Sequence, residues 1–133
     1  MAPFRVLSGG PILAVSDFAA SLEFYTEALG FSVDARFDDP SFAILSNGPV
    51  GLCLLEQGHP AGDLPGYVMT VPADPSTPGV VLVLRVEDVQ AVHAELAARG
   101  VPFASDPWSP PWGGGRCFAR DPDGYLVEIE TLA

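Results

Sequence analysis

The chain has 133 residues, 48% of them apolar, and carries 17 acidic side chains against six basic ones for a formal net charge of −11. That length suits one soluble domain with a packed core, and the charge argues against nucleic acid or an anionic membrane surface as a partner. No run approaches the roughly 18 apolar residues of a membrane span, and the N-terminus lacks the basic, apolar and small-residue regions of a signal peptide, so the expected address is cytoplasmic.

In chain order, the first apolar run, Ile12-Leu13-Ala14-Val15, reads as a strand that ends at Asp17, an acidic helix cap. The spacing of Phe18, Leu22, Tyr25 and Leu29 predicts a helix with one apolar stripe, stopped at Gly30. Strands follow through Phe42-Ala43 to the tight-turn pair Asn47-Gly48 and on through Val50, Leu52 and Leu54. Residues 57–78 hold Pro60, Pro65, Pro72, Pro75 and Pro78 among several glycines and read as a connector, with a short strand expected near Tyr67 to Val71.

The pattern then repeats. Val83-Leu84-Arg85-Val86-Glu87-Asp88 echoes the first strand and its cap, Val89, Val92 and Leu96 form the second helical stripe, and Gly100 is its stop. Phe118-Ala119 and Asp123-Gly124 repeat Phe42-Ala43 and Asn47-Gly48 at one common offset. The excess length of the second copy falls around Trp108-Ser109-Pro110-Pro111-Trp112-Gly113-Gly114-Gly115, where two flat side chains adjoin a glycine run able to reposition them.

The expected fold is therefore α+β, two tandem βαβββ modules that form a curved mixed sheet around one cavity. It is one domain, 1–133, with module one at about 5–56, the connector at about 57–78 and module two at about 79–133. Strand alternation places Gly10, Ile12 and Ala14 on the open face of module one and Val81, Val83 and Arg85 on that of module two. Leu126, Glu128 and Glu130 join the latter, and the common offset makes Val50, Leu52 and Leu54 their counterparts.

Two segments carry a family resemblance: Asp17 to Phe31, with Phe24-Tyr25 and Leu29-Gly30-Phe31, and Arg120-Asp121-Pro122-Asp123-Gly124-Tyr125-Leu126-Val127-Glu128. They resemble the vicinal-oxygen-chelate superfamily, which includes glyoxalase I, extradiol dioxygenases and bleomycin-resistance proteins. The resemblance implies a glyoxalase/bleomycin-resistance fold, a homodimer, and in its enzymes a divalent metal held by the first and last strands of each module. Those four positions fall on Gly10, Leu52, Val81 and Glu128, and only Glu128 is a donor. The expectation is no metal and no cofactor. Pro11 and the stretch from Gly113 through Arg116 and Phe118 to Asp121-Pro122 are more similar to the antibiotic-sequestering members.

Candidate ligand-binding residues follow from the two open faces. Glu128 would wall the cavity, paired with Arg85 or with a cationic group of the ligand; Trp108 and Trp112 would stack on a planar ligand or cap the cavity; Arg116 would hold an anion or pair with a carboxylate. Phe37, Phe42, Leu52 and Phe118 are further wall positions, with core packing as the competing role of the three phenylalanines. His59 and His93 lie away from the cavity, and Cys53 and Cys117 read as small core residues, so no catalytic residue is named. The reading is a metal-free protein that sequesters a small planar molecule, cationic or amphipathic, such as an antibiotic. The alternatives are a glyoxalase-like lyase or isomerase or a dioxygenase with a non-standard metal site, and a regulatory subunit with a vestigial cavity.

Overall fold

The computed structural model describes residues 3–133, and the chain divides between Val71 and Pro72 into two compact units. The first unit runs β1 (Ile12–Val15), α1 (Phe18–Glu23), a π-helical turn (Phe24–Ala28), β2 (Ser32–Phe37), β3 (Phe42–Asn47) and β4 (Val50–Glu56). Its sheet has the order β1-β4-β3-β2, with β1 parallel to β4 and the other pairs antiparallel. The second unit runs β5 (Leu82–Arg85), α2 (Val89–Ala98), β6 (Gly115–Arg120) and β7 (Leu126–Thr131), in a sheet of order β5-β7-β6 with β5 parallel to β7. Two mixed sheets, each with one helix on it, constitute the expected α+β class.

Both helices start as their caps dictate. The carboxylate of Asp17 accepts the amide of Ala20 and that of Asp88 accepts the amide of Ala91, each at 3.1 Å. Gly30 and Gly100 take positive φ at the ends of the helical segments. The first helix departs from its predicted stripe, with Phe18, Ser21 and Tyr25 buried and Leu22 and Leu29 only half covered, and it widens into the π-turn after Glu23. Tyr25 sits edge-on to both Phe24 and Phe31, at ring separations of 5.0 and 6.1 Å.

Under each helix the strands supply alternate apolar residues. Leu13, Val15, Ala43, Leu45, Leu52 and Leu54 are buried in the first unit, and Leu82, Cys117, Ala119, Val127 and Ile129 in the second. In the second unit the side-chain hydroxyl of Thr131 donates to the Val86 carbonyl and accepts the Val89 amide, both at 3.0 Å, which ties the end of β7 to the start of α2.

The second unit also lacks a full strand opposite β6. Instead two isolated bridges, Phe103 with Ala119 and Trp108 with Arg116, hold the segment after α2 against the sheet. Pro102, Pro107, Pro110 and Pro111 remove the amide donors a continuous ladder needs. In the first unit, no strand forms over Tyr67 to Val71. That segment returns to the end of β4 through two hydrogen bonds, Gly58 amide to Met69 carbonyl at 3.0 Å and Val71 amide to Gln57 Oε1 at 2.9 Å.

The two β-hairpins differ in a way that sets side-chain direction. β3 and β4 are joined by the two residues Gly48-Pro49, whereas β6 and β7 are joined by the five residues from Asp121 to Tyr125. The Asp121 carboxylate, 5% exposed, organises the longer turn by accepting the amides of Asp123 and Tyr125, both at 2.9 Å. The difference in turn length is odd, so an offset that aligns β3 with β6 misaligns β4 with β7 by an odd number of residues and exchanges their faces.

Candidate ligand-binding site

The open face of the second sheet is fixed by its register. Parallel pairing sets Val83 beside Glu128 and Arg85 beside Glu130, and antiparallel pairing sets Phe118 opposite Glu128 and Arg116 opposite Glu130. Arg120, opposite Leu126, continues the same face. Arg85, expected against Glu128, therefore binds Glu130, with Nε 2.9 Å from the carboxylate. Arg116 faces Glu128 at 3.7 Å, a looser ion pair.

The bridge between Trp108 and Arg116, with paired backbone hydrogen bonds of 2.9 and 3.0 Å, sets the indole beside the guanidinium. The Arg116 guanidinium carbon lies 5.4 Å from the Trp108 ring centre and 5.2 Å from that of Phe118, so two aromatic rings flank it. Trp112 completes the group, its ring 5.6 Å from Trp108 and nearly perpendicular to it. Trp108, Trp112 and Arg116 border a hollow of about 390 Å³, lined also by Pro110, Glu130 and Leu132 among others. Trp112 remains 73% exposed, which leaves a large aromatic surface without a protein partner.

The glycine run beside the tryptophans serves close packing. Gly114 has φ +74°, and a Cβ there would meet the carbonyl oxygen of Thr131, so only glycine lets this turn lie against the end of β7. The loop is thereby pinned at its base, in place of the freely repositioned backbone that composition suggested.

Glu128 is the most perturbed acid of the face. Its side chain is 14% exposed, and burial pushes its carboxyl above the usual carboxylate range. A hydrogen bond that its protonated carboxyl donates to Glu130, and repulsion by the Glu130 charge, add to this, against the attraction of Arg116 and Arg85.

In the first unit, Phe37 and Phe42 meet with ring centres 6.1 Å apart, and Phe42 stands opposite Leu55 on the open face. Leu52 does not share that face. It is 1% exposed and belongs to the core, because the short Gly48-Pro49 turn puts Cys53, paired with Ile12 and Ile44, where the common offset had placed Leu52. A second hollow, about 360 Å³, opens on this face beside Ile12, Asp34, Ile44, Ser46 and Cys53. Burial raises the Cys53 and Cys117 thiols above their ordinary value, which disfavours thiolate chemistry at both. His59 pairs with Glu56 at 3.1 Å, and His93 packs its ring on Phe103 at 4.3 Å.

The residues present do not fit the four-ligand metal centre that the family resemblance implies. In module two the first-strand neighbour of Glu128 is Val83, and in module one the first-strand neighbour of Cys53 is Ile12, so neither module offers two donors side by side. At Gly10 a side chain would run into the carbonyl of Gly51, where the two backbones cross. Among the described residues no group of three His, Cys, Asp or Glu side chains is placed to share an ion.

Sequence reasoning had separated Trp108, Trp112, Arg116, Phe118, Glu128 and Arg85 as individual candidates; the second sheet brings them onto one face. It missed Glu130 as the carboxylate that engages Arg85 and joins Glu128, although the alternation Leu126, Glu128, Glu130 carried that signal. Cys53 was missed because the identity of the turn residues does not reveal the length of the turn.

Comparison with known proteins places these features. Residues 7–129 match the model of the Glyoxalase/Bleomycin resistance protein/Dioxygenase superfamily. The protein YraH of Bacillus subtilis (strain 168) is 29% identical over 121 residues, covering 90% of this chain and 94% of its own. A glyoxalase/bleomycin resistance protein/dioxygenase from Nocardioides superposes with a TM-score of 0.75 at 23% identity, over 99% of this chain and 86% of that one. A lactoylglutathione lyase from Agrobacterium tumefaciens gives a TM-score of 0.73 at 17% identity, over 98% and 96% of the two chains. At these identities the structural likeness speaks to the fold.

Proposed function

The chain belongs to the Glyoxalase/Bleomycin resistance protein/Dioxygenase superfamily, and on that footing we propose that it is a metal-free binding protein for a small, planar, amphipathic molecule, in the manner of the antibiotic-sequestering members. The observation that carries this reading is the cluster of Trp108, Trp112, Arg116 and Phe118 beside a hollow of about 390 Å³. Aromatic faces and an arginine plane supply stacking surface to a flat ligand, and the polar groups around them orient it. Sequestration needs affinity without turnover, which suits a chain in which Glu128 is the one donor at the four metal-ligand positions the family resemblance implies.

The test is a titration of the protein with planar aromatic compounds, followed by tryptophan fluorescence and calorimetry, alongside metal analysis of the purified chain. Saturable binding at one site, weakened by Trp108→Ala or Trp112→Ala and with the compound recovered unchanged, is the expected result. Stoichiometric zinc, nickel, iron or manganese in the purified protein, or chemical conversion of the compound, would overturn it.

A second reading draws on one observation, the raised carboxyl of Glu128 beside Glu130. A carboxyl raised above its ordinary range is suited to general acid-base work, which makes a metal-independent lyase or isomerase the competing function. Turnover that Glu128→Gln abolishes while binding persists would select it.

A further inference from the structure

We infer that Arg116 anchors an anionic group of the ligand, so that the open face of the second sheet selects planar aromatic anions, carboxylates foremost, in preference to the cations that the net charge of the chain would attract. This rests on the binding reading above and names the chemistry of its ligand.

The local charge is opposite in sign to the global one. All six basic residues of the chain are arginines, and Arg85, Arg116 and Arg120 share this one face with two carboxylates, Glu128 and Glu130. Glu130 is engaged by Arg85 at 2.9 Å. Arg116 is left with Glu128 at 3.7 Å, beyond hydrogen-bonding distance. Glu128 is also a weak counter-ion, since burial and its contact with Glu130 favour its protonated form.

The posture of Arg116 suits an incoming carboxylate. The rings of Trp108 and Phe118 lie against the guanidinium, and its side chain is 47% exposed. A guanidinium flanked by rings can direct its N–H edge outward, and a carboxylate takes two parallel hydrogen bonds from that fork. A ligand whose carboxylate meets Arg116 would carry its aromatic plane into the hollow bordered by Trp108 and Trp112. The charge of −11 opposes an anion at long range, but salt screens that repulsion beyond about 8 Å, so the contact pair decides the preference.

Three probes of one shape and different charge test this on the full chain by calorimetry: naphthoate, naphthylmethanol and naphthylmethylammonium. Naphthoate is expected to bind roughly tenfold or more tightly than the alcohol, with the ammonium weakest. Arg116→Gln should reduce the naphthoate-to-alcohol affinity ratio to near one, and Arg116→Lys, which keeps the charge and loses the fork, should restore only part of it. Glu128→Gln, which removes the competing carboxylate, should raise naphthoate affinity. The inference is overturned if the ammonium binds more tightly than naphthoate, or if the ratio survives Arg116→Gln. Binding of the alcohol and the ammonium without naphthoate refutes the anion preference and leaves the binding function standing; failure of all three refutes both.

Discussion

Replacing Leu52 by Ala separates the observed register from the one implied by a uniform offset. Leu52 is 1% exposed, in a core with Leu13, Leu45 and Leu54. Removing its branched end forfeits the transfer energy of the lost carbons and leaves a cavity, for a cost of about 2–5 kcal/mol. An unfolding entropy of about 2.1 cal/mol/K per residue gives roughly 280 cal/mol/K for a chain of 133 residues, so each kcal/mol moves the melting midpoint by roughly 3–4 °C. Leu52→Ala should thus lower the midpoint by about 10 °C. Cys53→Ala, on the half-covered open face, should lower it by about 3 °C or less. Calorimetric or circular-dichroism melting of both variants is the assay. A mild Leu52→Ala beside a severe Cys53→Ala would refute the assignment of faces in β4, and with it the argument from turn length.

Other perturbations test other parts of the structure. Gly10→Ala forces a methyl group into the carbonyl of Gly51 and should cost about 1–3 kcal/mol by urea denaturation; an unchanged midpoint would count against the backbone crossing. Asp121→Ala leaves the part-buried amide of Asp123 and the buried amide of Tyr125 without their carboxylate acceptor and should cost about 1–3 kcal/mol, with Asn recovering part of the loss. The pH dependence of Glu128 has a defined sign: its folded carboxyl binds protons more tightly than the unfolded chain, so its contribution to stability falls as pH rises from about 4.3 toward the raised folded value. Glu128→Gln should therefore flatten that decline in urea midpoints measured across this interval, and a steeper decline in the variant would contradict the assignment.

The helices were legible in the sequence because their boundaries are written in single residues. Asp17 and Asp88 cap through their own carboxylates, and Gly30 and Gly100 adopt the positive φ that stops each helical segment. Strand alternation likewise predicted Val127 and Ile129 inward and Glu128 outward. Three things were hidden. The buried stripe of the first helix takes Ser21 in place of Leu22, although Leu22 is the more apolar residue. The prolines after α2 reduce a strand to two bridges, a loss that periodicity alone does not register. Asn-Gly and Asp-Gly both announce a turn, yet one belongs to a two-residue connection and the other to a five-residue one. The aromatic and arginine residues of the site were visible as types. Their convergence was not, because it depends on the pairing of Trp108 with Arg116, which no local pattern specifies.

The unequal hairpins also limit how the two halves of the gene could trade sequence with each other. A crossover inside the last strand, aligned by the offset common to Phe42-Ala43 and Phe118-Ala119, would join Leu52 to Ile129 and put Ile129 on the open face and Glu130 in the core of the first sheet. Exchange of a whole turn would be silent to this constraint, since each turn joins a directly paired couple, Asn47 with Val50 and Arg120 with Leu126, while exchange within the last strand would turn that strand inside out. The repeat can therefore be old and still closed to homogenisation: once the turn lengths differed by an odd number, each half could be corrected only against itself.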